Sequence, residues 1–235
     1  MGVALAASVR GMKRILVVAA LALAATTLPA VPAVAAPTPA LTGGGGHVRC
    51  QFTPTPENPA ARPVTVPKAK AKARGDVEIT IRTNYGRLDL VLDRDNAPCA
   101  VHNLLHLAKA DFYDDSQCFR LTNSPRLGVL QCGDIYRAEE GGPGYKFDDE
   151  VTGEETYPRG TIAMGNQGPG TNGSEWFIVH SVANISPVYT VLGHVTRGMD
   201  VLDRIVAAGI TPDGATDGAP KRPVRILDVR VGRDC

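Results

Sequence analysis

Arg120 is the residue best placed for chemistry. It sits inside an apolar run, between Phe119 and Leu121, and the next apolar run, Leu127 to Cys132, carries the amide of Gln131. A strand arginine ordinarily lays its stem on the sheet and points its head at water. Here two successive strands carry a planar donor fork and an amide, and a glycine-rich loop and the aromatic pair Trp176-Phe177 follow. Together they can wall a groove that is apolar with a few convergent polar groups, which is the usual make-up of a ligand site.

Three other constellations fail on their spacing. His102 and His106 stand four apart, but Asn103 occupies the place where a zincin helix has its catalytic Glu and the pattern offers no third ligand, so no metal site is expected. The loop Gly165-Asn166-Gln167-Gly168-Pro169-Gly170 can cradle an anion, yet it lacks the Gly-Lys-Ser/Thr ending of a phosphate loop. Gly173-Ser174-Glu175-Trp176 lacks the second glycine of a nucleophile elbow, which leaves a serine hydrolase as a weak alternative resting on Ser174.

The elements that must position these residues are mostly strands. Alternation in Val77-Ile79-Ile81, a turn at Asn84-Tyr85-Gly86 and Leu88-Leu90-Leu92 predict a hairpin. Asp95-Asn96-Ala97-Pro98 supplies capping residues and a first-turn proline, and Val101, Leu104, Leu105 and Ala108 recur at helical spacing. Short strands are expected near 118–122, 127–132, 161–164, 176–179 and 190–195, with glycine-rich loops at 141–144 and 165–173. A second helix runs from Met199 to Ala208 and stops at Gly209, and Arg222 to Val231 reads as a last strand. The expected fold is mainly β, a closed eight-stranded antiparallel barrel capped by two helices, because an open sheet leaves edges to protect. Periodicity alone supports an α+β sandwich nearly as well.

Ahead of this domain, residues 1–35 have the parts of a secretory signal peptide: Met12-Lys13-Arg14, where translation can also start, the apolar run Ile15 to Ala25, and Ala33-Val34-Ala35-Ala36. The apolar run is about half of what a membrane span needs, so cleavage near Ala35 is expected over an uncleaved anchor. Residues 36–75 are rich in Pro, Ala, Gly and Lys and read as a disordered linker that contains the basic cluster Lys68, Lys70, Lys72 and Arg74. A net charge of +1 gives no field for nucleic acid. The five cysteines, Cys50, Cys99, Cys118, Cys132 and Cys235, form no CxxC pair; in an exported chain they predict disulfides with one cysteine left over.

Several runs then point to one family. Phe119-Arg120-Leu121, Leu130-Gln131-Cys132-Gly133-Asp134, Gly142-Pro143-Gly144-Tyr145-Lys146-Phe147-Asp148-Asp149-Glu150 and above all Ala163-Met164-Gly165-Asn166-Gln167-Gly168-Pro169-Gly170-Thr171-Asn172-Gly173-Ser174-Glu175-Trp176-Phe177-Ile178 resemble the cyclophilins. Val191-Leu192-Gly193-His194-Val195 and Gly198-Met199-Asp200-Val201-Leu202 continue the likeness, which covers residues 76 to 234 of a domain read as 76–235.

The resemblance implies isomerisation of X-Pro bonds in polypeptide substrates by a monomer, with no cofactor and no metal. It implies Arg120 and Gln131 as catalytic residues and Phe119, Val129, Gly165, Asn166, Glu175, Phe177, Ile185 and Tyr189 as substrate-binding ones. It also implies a Cys99–Cys118 disulfide, because in the resembled fold the first helical turn lies near the third strand. The chain departs from the family pattern in several places. Cys118-Phe119-Arg120 replaces Phe-His-Arg, Gly128 falls where a large pocket residue is expected, and Glu175 replaces a glutamine. Asn184 and Tyr189 stand for a tryptophan and a histidine, so weak cyclosporin binding is expected. The competing class is a chaperone module that holds proline segments on the same barrel without turning them over.

Overall fold

The computed structural model describes residues 46–137 and 140–234. The signal peptide expected over residues 1–35, and Cys235, lie outside the described residues. The described elements run β1 (His47–Arg49), β2 (Thr53–Pro54), β3 (Lys70–Lys72), β4 (Asp76–Thr83), β5 (Gly86–Asp93), α1 (Pro98–Lys109), β6 (Ser116–Cys118), β7 (Arg120–Thr122) and β8 (Leu127–Cys132). They continue as β9 (Tyr145–Lys146), β10 (Thr161–Met164), β11 (Trp176–Ala183), β12 (Val191–Arg197), α2 (Met199–Ala208), β13 (Ile210–Thr211), β14 (Asp217–Pro220) and β15 (Val224–Asp234).

Alternation sets the first hairpin. Val77, Ile79 and Ile81 of β4 are buried while Glu78 and Arg82 are exposed, and Leu88, Leu90 and Leu92 of β5 answer them in antiparallel register, Ile79 opposite Leu90. Each such side chain stabilises the fold by about 1.5–3 kcal/mol on burial. Helix α1 begins on Pro98 and buries Val101, Leu104, Leu105 and Leu107 in the same core. Its first-turn acceptor comes from far along the chain, not from Asp95 or Asn96: the Glu150 carboxylate takes the N–H groups of Cys99 at 3.0 Å and Ala100 at 2.9 Å. Helix α2 spans the predicted residues and buries Val201, Leu202 and Ile205.

The fold is mainly β with two helices, but the closed eight-stranded barrel needs correcting. Eleven strands join in the order β13-β14-β7-β8-β11-β10-β12-β5-β4-β15-β6, a curled half-barrel with two distinct edges. The cause is local. The single strand expected over 118–122 breaks at Phe119, so β6 pairs with β15 at one edge, whereas β7 pairs with β8 and with β14 towards the other.

The disordered linker is also corrected from residue 46 onward, where the chain forms an arm on the domain. β1 pairs with β3, and β2 pairs with β9 through Thr53 and Lys146. Arg62 donates from Nη1 to the carbonyl of Phe112 at 2.9 Å and to that of Asp114. His102 and His106, the candidate metal pair, spend their Nε2 atoms on the carbonyls of Lys68 at 2.9 Å and Thr65 at 2.6 Å. Phe52 packs edge-on against Tyr145 and Phe147, with ring centroids 5.6 and 5.4 Å away. Backbone pairing, the Arg62 and histidine side-chain bonds and the Phe52 ring hold this segment where large apolar side chains are scarce.

Neither disulfide is the expected Cys99–Cys118. Cys50 in the arm bonds Cys99 on the first turn of α1, with Cα atoms 5.5 Å apart, and Cys118 on β6 bonds Cys132 at the end of β8, 4.1 Å apart. Cys99 faces the arm, and Cys118 faces the strand beside it.

Candidate active site

Strands β7 and β8 pair with Arg120 directly opposite Gln131, and β8 pairs with β11 so that Gln131 is also opposite Phe177. Side chains alternate along β8, which puts Leu127, Val129 and Gln131 on one face. With Arg120, Gly165, Asn166, Glu175, Phe177, Ile185 and Tyr189 they line a cleft of about 180 Å³. All but one of the sequence-predicted site residues therefore come together. Phe119 does not line the cleft; it sits at the break between β6 and β7, where its N–H donates to the Gln131 carbonyl at 3.1 Å.

The floor is a second apolar cluster, Val129, Tyr157, Ala163, Phe177 and Val179, with Leu127, Ile185 and Tyr189 packed against it. Phe177 and Tyr189 meet edge to face, with centroids 5.7 Å apart at 86°. The Tyr157 hydroxyl donates to the Tyr189 carbonyl at 3.1 Å and accepts its N–H at 3.0 Å, so the segment carrying Ile185 and Tyr189 is pinned over the floor. Gly128 leaves no gap in this wall. A Cβ there would lie 1.9 Å from Ser181 Oγ and 2.8 Å from His180 Cε1 on the opposite face, and Leu127 supplies the apolar surface instead.

Polar groups reach the cleft through a chain of hydrogen bonds. Arg120 donates from Nε to Asp217 Oδ1 at 2.8 Å, from Nη2 to Asp217 Oδ2 at 2.7 Å and from Nη1 to Gln131 Oε1 at 3.1 Å. Gln131 Nε2 then donates to the Glu175 carboxylate. The Asp217 carboxylate beside it holds the Arg120 guanidinium even above its ordinary range, and Arg120 in turn holds Asp217 below the usual carboxylate range. Arg120 is thus a permanent cation.

Glu175 is buried against Gly165, where a Cβ would come within 2.2 Å of Glu175 Oε1, so close approach requires glycine there. Asn166 opens the loop beside the cleft. Its Nδ2 donates to Asp149 Oδ1 at 2.9 Å, and Asp149 Oδ2 accepts the Gly170 N–H at 2.8 Å, which braces the loop from below. Ser174, the candidate nucleophile, is fully buried and donates to Asp134 at 2.9 Å, out of reach of a substrate.

Sequence reasoning missed Asp217 and Leu127. Leu127 was legible as the residue two before Val129 on one strand face. Asp217 carries no comparable signal, lying 97 residues from Arg120 in a polar stretch without periodicity.

Comparison with known proteins agrees with this geometry. The family model described as cyclophilin type peptidyl-prolyl cis-trans isomerase/CLD matches residues 78–231. A relative from Mycobacterium leprae named peptidyl-prolyl cis-trans isomerase B is 39% identical over 200 residues, covering 78% of this chain and 67% of that protein. Its namesake in Mycobacterium tuberculosis is 38% identical over 196 residues, covering 77% of this chain and 63% of that protein. Among solved structures, a Cryptosporidium parvum cyclophilin type isomerase superposes with a TM-score of 0.58 at 25% identity, covering 68% of this chain and 99% of that one. The Arg120–Gln131 pair over an aromatic-floored cleft thus stands within a matching sequence frame, and the chain belongs to the cyclophilin-type peptidyl-prolyl cis-trans isomerase family.

Proposed function

We propose that this chain accelerates rotation about X-Pro bonds in exported polypeptides, with Arg120 as the catalytic residue. The observation that carries the reading is the Arg120 guanidinium, charged and held by Gln131 and Asp217, at the mouth of an apolar cleft floored by Phe177.

Rotation breaks amide resonance against a barrier of about 20 kcal/mol. In the twisted state the prolyl nitrogen leaves conjugation and regains a basic lone pair, so a donor aimed at it binds the transition state better than either planar form. No covalent step is needed. Phe177, Val129, Leu127 and Ile185 clamp the pyrrolidine ring while backbone groups near Asn166 hold the preceding residue, leaving the bond between them free to turn. A dry cleft helps further, because the twisted amide is less dipolar than the planar one. Lowering the barrier by about 6 kcal/mol corresponds to a rate gain of roughly 10⁴ to 10⁵.

The apolar wall expected to be lost at Gly128 is supplied by Leu127, which supports a pocket for the proline ring. Two disulfides in the described residues support an oxidising, exported setting. Among the described residues no helix is long and apolar enough to cross a membrane. Asn184 is exposed, with its N–H on the Arg126 carbonyl, and offers no indole donor at the rim, which supports weak cyclosporin binding. A proline-limited refolding assay tests the proposal: acceleration of the slow phase is expected, and binding of the unfolded chain without acceleration would replace isomerase by chaperone.

A further inference from the structure

The isomerase reading names Arg120 but leaves open what aims it. An arginine on a strand edge has four side-chain torsions to settle, and a donor that must meet a nitrogen only in the twisted state is useful only if its direction is set beforehand. Gln131 touches a single nitrogen, Nη1, at 3.1 Å, and one contact leaves the guanidinium plane free to swing about it. Asp217 provides the second and third points. Both of its oxygens engage the guanidinium side-on, at Nε and Nη2, in the bidentate geometry that fixes a plane as well as a position. Three of the five N–H groups are then occupied, and one is left on each terminal nitrogen.

Asp217 itself is well placed for this. It opens β14, the strand that pairs with β7, in register with Thr122, two residues from Arg120 on the neighbouring strand. β14 is tied in turn to β13 through Ile210–Pro220 and Thr211–Ala219, so the carboxylate is carried by a hydrogen-bonded ribbon and not by a free loop. Gly218 next to it is held by close packing, since a Cβ would meet the Thr211 carbonyl oxygen at 2.2 Å. The nearby Asp213 and Lys221 pair with each other at 2.6 Å and do not compete for Arg120.

We propose that Asp217 is the positioning residue of this active site, orienting Arg120 from outside the cleft while Gln131 orients it from within. The inference rests on the isomerase reading. The pair is partly exposed, with side chains 37% and 54% accessible, so its contribution to folding is small and its effect falls on the direction of the donor.

The test is Asp217→Asn beside Asp217→Glu in the full chain, assayed for kcat and KM on a short X-Pro peptide, with the Nε–H resonance of Arg120 followed by ¹⁵N NMR and assigned by its loss in Arg120→Lys. In Asp217→Asn, kcat is expected to fall about three- to tenfold with KM within about twofold, because a neutral amide cannot accept both N–H groups. The protected, slowly exchanging Nε–H signal should vanish together with that rate, the melting temperature should stay unchanged, and Asp217→Glu should recover part of both readouts. A variant with wild-type kcat, or one that gains activity, overturns the positioning role while leaving the isomerase reading intact. A wild-type protein without isomerase activity removes the parent reading and this inference with it.

Discussion

Breaking the Cys50–Cys99 bridge should release the arm without disturbing the cleft. The bridge closes a loop with a sequence separation of 49, against 14 for Cys118–Cys132. Loop-closure entropy then assigns about 4 kcal/mol to the first and about 3 kcal/mol to the second. For a domain of this size a loss of 4 kcal/mol lowers the melting temperature by roughly 8–16 °C. The figure is an upper bound, because an arm that comes free regains chain entropy while the rest of the domain stays folded; what it gives up is Arg62 on Phe112 and Asp114, the two histidine bonds, and Phe52 between Tyr145 and Phe147. These contacts are few and mostly polar, so they hold a tethered arm better than a free one. The perturbation is Cys50→Ser with Cys99→Ser, and the readouts are thermal melting, amide exchange and limited trypsin digestion. In the wild type the N–H groups of Cys50, Thr55, Ala61 and Ala73, each bonded to a backbone carbonyl, should exchange slowly, and cleavage after Lys68 and Lys70 should be suppressed. In the double variant these sites should open first while the Arg120 strand stays protected. If the wild-type arm exchanges at the rate of a free chain, or the variant melts within about 2 °C of wild type, the docked arm is wrong and the linker reading of residues 46–75 returns.

Gly165→Ala should cut activity about tenfold and lower the melting temperature by a few degrees, because its Cβ displaces the buried Glu175 side chain that holds Gln131; the check is kcat beside a melting curve. The pH profile of kcat/KM should be flat from about pH 5 to 9, since Arg120 does not titrate there and Arg120 holds Asp217 below the usual carboxylate range. Because that carboxyl is depressed on folding, whatever the ion pair contributes is present above about pH 4 and is lost as pH falls through the lower folded value, so activity should drop only on that acid side. Cyclosporin should bind weakly, and Asn184→Trp should tighten it; calorimetric titration showing tight binding by the unaltered chain would mean that Asn184 does not mark the rim.

The sequence made much of the fold legible where one face of an element is buried. The alternation of β4 and β5 and the stripe on α2 are direct consequences of which side chains leave water, and both elements fall where that pattern puts them. The arm was illegible because its strands are two or three residues long, carry Lys and Thr on exposed sides, and are held by backbone bonds that any sequence can make. The half-barrel was missed through one residue: nothing in Cys118-Phe119-Arg120 announces a break that sends β6 and β7 to different neighbours. Within the site, Arg120 and Gln131 were readable as a donor fork and an amide on successive strands, Val129, Phe177 and Asn166 through the resemblance to the cyclophilins, and all five line one cleft. Asp217 was not readable, because a contact across 97 residues between a strand and a polar ribbon leaves no periodic trace.

The central claim is that the Arg120 donor lowers the barrier to rotation, and a protease-free isomerisation assay on an Ala-Pro or Phe-Pro peptide tests it most directly, comparing wild type, Arg120→Ala and Arg120→Lys with circular dichroism of each. Removing one charged transition-state hydrogen bond costs about 3–4 kcal/mol, so Arg120→Ala should lose a factor of roughly 10² to 10³ while remaining folded. Arg120→Lys should be nearly as slow, since an ammonium keeps the charge but cannot span Asp217, Gln131 and the prolyl nitrogen at once. A folded Arg120→Ala protein that keeps more than about a third of the wild-type rate would contradict the account and leave a proline-binding module in its place.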